Sequence, residues 1–368
     1  MDLFKELRDK DRIKALFKEI EGLSRFSVNI MEICGGHTNT IMKYGLDQML
    51  PESIHFIHGP GCPVCVMPKE RIDQAIALAN EKNVILVTLG DMMRVPGSKS
   101  SLIRERAKGR DVRMLYSPMD IPNMAKENPS KIVIYFAIGF ETTAPMTAAL
   151  IDSCVKDRIH NVLFHVNHVL VPPPIEAIME GGDVKIDAFI GPGHVCVITG
   201  MGSFEPIVKK YRTPVVICGF EPLDVLRSIL MILSQFIEGR RAVENQYKRA
   251  VKPDGNKKAM ELMSCYFEAR DMFRWRGMGD IALSAFKLKD EFKKMDAEVV
   301  YEGLLPKEKV DDHKLFICGD ILRGKATPLD CPIFGKACTP GNPTGACMVS
   351  LEGTCNIYYR YASRKVLV

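Results

Sequence analysis

Gly59-Pro60-Gly61-Cys62-Pro63-Val64-Cys65 follows an apolar run, Ile54-His55-Phe56-Ile57, and precedes a stretch with helical spacing over 69–79. The run reads as a short strand, and Ile72, Ala75, Ile76 and Ala79 share one face of the helix behind it. Two glycines and two prolines fix an irregular turn between the two. The thiols therefore fall near a helix N-terminus, where the dipole favours thiolate over thiol. A Cys-x-x-Cys in that place has three trades: dithiol redox, half of a zinc site, or metal ligation.

Outward from this stretch the same build recurs. An amphipathic helix over 2–21 carries Leu3, Leu7, Ile13, Leu16, Phe17 and Ile20. A strand over 28–33 runs into Cys34-Gly35-Gly36-His37-Thr38, and further strands cover 84–89 and 112–116. The strand over 132–138 ends in Gly139-Phe140-Glu141-Thr142-Thr143, and that over 162–166 in Asn167-His168. Those over 188–190 and 214–217 end in Gly191-Pro192-Gly193-His194-Val195 and Cys218-Gly219-Phe220-Glu221. Strands alternating with helical stretches argue for parallel sheets with helices on both faces. Gly-Pro-Gly-Cys at 59 is echoed by Gly-Pro-Gly-His at 191, which suggests two domains of related build. Loops that follow strands gather at the carboxyl edges, where α/β ligand sites form. The expected fold is α/β: two related parallel-sheet domains, 1–125 and 126–237, around a cleft. A helix-rich C-terminal domain, 238–368, completes it; from Leu223 onward the chain reads as helices, over 223–238, 242–250 and 257–273.

Composition narrows the function classes. A formal charge of +5 with no arginine- or lysine-rich tract argues against nucleic-acid binding. No apolar run approaches a membrane span, and Met1-Asp2-Leu3-Phe4-Lys5-Glu6 is a charged start without an apolar leader. A soluble, cytoplasmic protein with no membrane partner is expected. Twelve cysteines in that compartment are ligands and redox groups before they are structural disulfides.

The strongest metal signal is C-terminal. Cys318, Cys331, Cys338, Cys347 and Cys355 fall within one short segment amid prolines and glycines. Thiolates on short rigid loops suit an iron–sulfur cluster or zinc, and the absence there of paired Cys-x-x-Cys knuckles favours the cluster. Scattered buried cysteines are the alternative, and five thiols for four positions leave one unassigned. The second constellation is Cys34 and His37 with Cys62 and Cys65, where glycines leave room for a bulky ligand beside a thiolate. A buried cysteine and a satisfied histidine would be the default for either residue alone; two more thiols on the next loop shift the balance.

These motifs, in this order, with Cys331-Pro332-x-Phe334-Gly335 and Cys347-Met348-Val349-Ser350-x-Glu352-Gly353-x-Cys355, closely resemble the HypD family of [NiFe]-hydrogenase maturation factors. The resemblance runs from about residue 25 to the C-terminus; Asn39 stands where the family's Cys-Gly-Gly-His-Thr-His motif usually ends in histidine. It implies a scaffold, working with the small protein HypC, on which the Fe(CN)2CO unit is assembled. Cyanide arrives from HypE, and the finished unit passes to the hydrogenase large subunit. It further implies a [4Fe–4S] cluster on Cys318, Cys331, Cys338 and Cys355, with Cys347 as the spare. Cys34 becomes the iron ligand and Cys62 and Cys65 the redox pair. Iron(II) carrying cyanide and carbon monoxide wants soft thiolates and a closed cleft.

Glu141 and Thr142 are placed to orient a cleft ligand, with a helix-cap role for Thr142 or Thr143 as the alternative. His194 is placed to donate to a cyanide nitrogen or to serve structurally. Cys154, Cys196, Cys218 and Cys265 have no motif partners and read as core or incidental thiols. A thiol–disulfide oxidoreductase that uses a cluster is the competing function, but it has no use for Cys34 and His37.

Overall fold

The computed structural model describes residues 3–312 and 315–362. Nine strands form the main sheets: β1 (Val28–Glu32), β2 (Ile54–His58), β3 (Val84–Leu89), β4 (Val112–Leu115), β5 (Ile132–Gly139), β6 (Val162–His168), β7 (Ala188–Pro192), β8 (Val215–Cys218) and β9 (Val243–Asn245). Every pairing among them is parallel. One sheet has the order β2-β1-β7-β8-β9, the other β4-β3-β5-β6. Their apolar runs are buried on both faces, as parallel strands between helices require: Ile30, Ile134, Phe136 and Phe189 are fully enclosed.

The sheets do not divide where the sequence suggests. β3 and β4 pair with β5 and β6 across residue 125, so the expected 125/126 boundary runs through the four-stranded sheet. β1 and β2 instead join β7, β8 and β9. The two Gly-Pro-Gly loops therefore belong to one sheet and follow the two strands that flank β1. That is a different meaning for the echo: it marks the neighbours of Cys34, not a second copy of the fold.

Two further expectations change. Residues 242–250 supply β9 and a turn rather than a helix, because Val243 completes the sheet edge against β8. The helix expected over 257–273 stops at Tyr266. Beyond it lie β10 (Phe267–Ala269), β11 (Met272–Trp275), β12 (Gly279–Ala282) and β13 (Phe286–Leu288), which form two antiparallel ribbons. Phe267, Phe273 and Trp275 are buried, and aromatic residues of this kind suit a half-buried strand. The C-terminal region is thus ribbons and short helices. At the N-terminus the amphipathic stretch is split into Leu3–Leu7 and Lys10–Leu23 by Asp9, whose carboxylate accepts from the Arg12 amide at 2.8 Å; Asp2 lies outside the described residues. Among the described residues no helix is long and apolar enough to cross a membrane.

Candidate functional site

Because β2, β1 and β7 run parallel side by side, their carboxyl ends deliver three loops to one place. Cys34 leaves β1 as the N-cap of the helix Gly35–Tyr44, and its sulfur accepts from the Gly36 amide at 3.4 Å. His194 arrives from the β7 loop with its ring nitrogens 3.7 and 3.9 Å from Cys34 Sγ. Gly61 brings in the β2 loop: a Cβ there would meet Cys34 Cα at 2.5 Å, so only glycine admits this approach. A Cβ on Gly35 would meet the Glu352 carbonyl at 2.1 Å, and one on Gly36 the Phe220 ring at 2.9 Å. These glycines let the three loops pack closely around the Cys34 turn.

Cys34 is buried, and that desolvation, reinforced by the charge of Glu352, pushes its thiol well above the usual range despite the helix N-terminus. His194 is held neutral, its pKa lowered to about 4 by burial. His37 points elsewhere. Its Nε2–H donates to the Gly219 carbonyl at 3.0 Å, its Nδ1 is buried without a partner, and burial lowers its pKa to about 4. His37 and His194 both stack on one ring, Phe220, with centroids at 4.7 and 4.8 Å. The imidazole beside Cys34 is therefore His194.

Cys62 and Cys65 do not sit at the start of the helix Lys69–Asn80 as their spacing suggests. Cys62 is the N-cap and Cys65 the third residue of a one-turn helix of their own, Pro63–Val66, too short for an appreciable dipole. Burial pushes the Cys65 thiol well up, against the depression expected from a helix terminus. Cys65 lies close enough to Cys62 and Cys347, and Cys347 to Cys355, for each thiol to shift its neighbour's ionisation. Cys347, receiving from Cys355 and Cys65, is held well below the usual thiol range, while Cys355 is pushed up. The thiol that the family resemblance leaves as the spare thus neighbours both groups, Cys65 on one side and Cys355 on the other.

A cavity is walled by Cys318, Cys331, Cys338, Cys347 and Cys355 together with Phe316, Ile321, Ile333, Phe334 and Met348. Short, capped turns hold the thiols: Thr327 and Asp330 cap the turn before Cys331, and the Cys338 amide donates to the Ile333 carbonyl at 3.0 Å. All twelve cysteines are free thiols. Among the described residues no three His, Cys, Asp or Glu side chains converge as on a single ion. A cubane cluster is different, since each thiolate binds its own iron and the sulfurs stand apart around the cage. A soft, apolar, all-sulfur wall is the donor set such a cluster takes, and the buried Thr344 hydroxyl in the same wall has no protein partner.

Glu141 is enclosed. Its Oε1 accepts from the Val171 amide at 2.9 Å, its Oε2 is buried without a partner, and burial raises its pKa to about 7. Thr143 occupies the N-cap position of the helix Ala144–Lys156 without bonding its amides, and its hydroxyl donates to the Phe140 carbonyl at 3.2 Å. Thr142 and Thr143, with Pro63, Val64, Met92, His194 and Glu352, line a cavity between the carboxyl edges of the two sheets.

Glu141 makes a pH prediction. Its proton is held more tightly folded than unfolded, so its contribution is fully present below pH ~4.5 and is lost as pH rises through about 7. Stability of the wild type relative to Glu141→Gln is expected to fall by about 3 kcal/mol over that window. Parallel urea titrations across the window measure it; curves that stay parallel refute a buried, proton-holding Glu141.

Sequence reasoning missed a set of polar groups below Cys34. The Glu32 carboxylate, fully buried at the end of β1, accepts from the Cys34 amide at 3.2 Å and from the Thr38 hydroxyl. His58 Nδ1 lies 2.6 Å from Glu32 Oε1, and His58 Nε2 lies 2.8 Å from the Tyr358 hydroxyl. A carboxylate inside the apolar run Val28-Asn29-Ile30-Met31-Glu32-Ile33 was the available signal, since a buried charge demands partners.

Parallel α/β sheets whose carboxyl edge gathers three thiols and an imidazole define a thiol-centred α/β protein. A family model described as "HypD: Hydrogenase formation hypA family" matches residues 11–362, and the chain belongs to the HypD family. It is 47% identical over 365 residues to the hydrogenase maturation factor HypD2 of Bradyrhizobium diazoefficiens, covering 97% of this chain and 96% of that protein. It is 42% identical to the maturation factor HypD of Rhodobacter capsulatus over 99% of both chains. The corresponding protein of Escherichia coli is 42% identical over 92% of this chain and 90% of its own.

Proposed function

We propose that this chain matures [NiFe]-hydrogenase as the scaffold on which the Fe(CN)2CO unit is assembled. The partners in this reading are HypC, HypE as cyanide donor, and the hydrogenase large subunit as recipient. The observation that carries the reading is the position of Cys34 beside His194, backed by the Cys62–Cys65 loop and walled in from solvent. As cargo, the iron unit takes the Cys34 sulfur as thiolate ligand, which requires loss of the thiol proton that burial holds in place. His194, neutral and 3.7 Å from that sulfur, is placed to donate its ring N–H to a cyanide nitrogen. Phe220 fixes the plane of that ring by stacking.

Cys318, Cys331, Cys338 and Cys355 would hold a [4Fe–4S] cluster, and when bound it supplies single electrons. Cys347, neighbouring both Cys355 and Cys65, connects that pocket with the dithiol. Closing Cys62 and Cys65 to a disulfide releases two electrons and two protons. Two intervening residues in a tight turn allow that bond. Alkylation and mass mapping before and after mild reduction are expected to show a reversible Cys62–Cys65 disulfide; a pair that stays alkylatable under every oxidising condition refutes the redox role.

The competing oxidoreductase needs a thiol that a protein substrate can reach. Cys62 and Cys65 are 3% and 1% exposed, which counts against it. The scaffold reading is tested by restoring hydrogenase activity to cells lacking their own family member. The wild-type chain is expected to restore it and Cys34→Ala to fail; full restoration by Cys34→Ala overturns the reading.

A further inference from the structure

We infer that Glu32, His58 and Tyr358 form a positioning relay that couples the helix bearing Cys355 to the seating of Cys34. The inference rests on the reading of Cys34 as the working thiol, but its geometry is independent of any metal. Tyr358 lies one turn after Cys355 on the helix Thr354–Tyr361. Its hydroxyl hydrogen-bonds His58 Nε2 at 2.8 Å, and His58 Nδ1 lies 2.6 Å from Glu32 Oε1, so the one ring bridges the tyrosine and the carboxylate. Glu32 Oε2 in turn accepts the Cys34 amide at 3.2 Å. Each link joins a different segment: the C-terminal helix, the end of β2, the end of β1 and the Cys-Gly-Gly-His turn.

Backbone packing runs alongside this chain. The backbones are in close contact: a Cβ on Gly35 would meet the Glu352 carbonyl at 2.1 Å, and one on Gly353 the Cys347 carbonyl at 2.1 Å. Ile357 and Tyr361 of the same helix pack on Met42 of the helix that Cys34 caps. A shift of the C-terminal helix therefore has no soft layer in which to dissipate before it reaches Cys34. Glu32 is the pivot, because its carboxylate holds Thr38, His58 and the Cys34 amide at once. Loss of any one donor leaves a buried carboxylate under-satisfied and frees the loop it held. His58 and Tyr358 act through Cys34 and are positioning residues.

The test uses the full chain free of iron cargo and follows alkylation of Cys34 by mass spectrometry. Cys196, fully buried in the helix after β7, is the internal control for global opening. Tyr358→Phe removes one hydroxyl at nearly constant volume. It is expected to raise the Cys34 rate roughly 3- to 10-fold, the worth of one buried hydrogen bond, with Cys196 unchanged. His58→Gln is expected to do at least as much. In the His58→Gln background Tyr358→Phe should add nothing, because the chain is already cut. An unchanged Cys34 rate in both single variants overturns the relay. So does a parallel rise at Cys34 and Cys196, or full additivity of the two substitutions. The readout needs no bound iron unit, so its failure is separate from failure of the scaffold reading.

Discussion

Cys34→Ala in the complex with HypC is expected to abolish the infrared bands of metal-bound cyanide and carbon monoxide while leaving the absorbance of the cluster intact. The sulfur removed is the one beside His194, and alanine offers iron nothing in its place. Cys318, Cys331, Cys338, Cys347 and Cys355 line a separate cavity and keep their own wall. Serine is a poorer probe, since an alkoxide still holds iron weakly. His37→Ala should act less strongly. Its ring donates to the Gly219 carbonyl and props Phe220, so its loss loosens the bed of His194 and lowers occupancy without deleting a ligand. Retention of the bands in Cys34→Ala, with loss in Cys62→Ala or Cys65→Ala, moves the ligand to the β2 loop.

The second large effect concerns the C-terminal thiols. Alanine at Cys318, Cys331, Cys338 or Cys355 is expected to remove most of the tightly held iron and sulfide of the anaerobically purified protein, since each thiolate would hold one iron of the cage. Cys347→Ala is expected to keep iron and sulfide and to slow electron exchange with the Cys62–Cys65 pair, because it removes the thiol that neighbours both Cys65 and Cys355. Iron and sulfide analysis of the five single variants decides the ligand set. Loss in Cys347→Ala with retention in Cys355→Ala refutes it.

Much of the fold was legible because parallel strands are apolar on both faces and end in loops of unusual composition. The strand starting at Val28 and the one ending at Leu89 are found within a residue of their expected bounds. What local patterning cannot carry is which strands pair. β1 meets β7 across more than a hundred residues of chain, and nothing within either run encodes that choice. The ribbons between Phe267 and Leu288 were hidden for a related reason. Met272, Phe273 and Trp275 satisfy a helical pattern, and only their antiparallel partners on β12 make them a strand.

At the site, the thiols announced themselves by motif, whereas their order did not. The family resemblance leaves Cys347 as the spare, yet it is the thiol that neighbours both groups. His37 carried the motif, but the ring against Cys34 belongs to His194, delivered by a strand distant in sequence. Glu32, His58 and Tyr358 lie far apart in the chain and become a unit only when β1, β2 and the C-terminal helix are assembled.

The central claim is that Cys34 carries an iron unit bearing cyanide and carbon monoxide. The infrared spectrum of the wild-type chain purified anaerobically with HypC tests it most directly. Bands of metal-bound cyanide and carbon monoxide, present in the wild type and absent from Cys34→Ala, are the predicted result. A wild-type complex that holds its cluster and never shows those bands contradicts the claim and leaves the thiol–disulfide oxidoreductase as the better account.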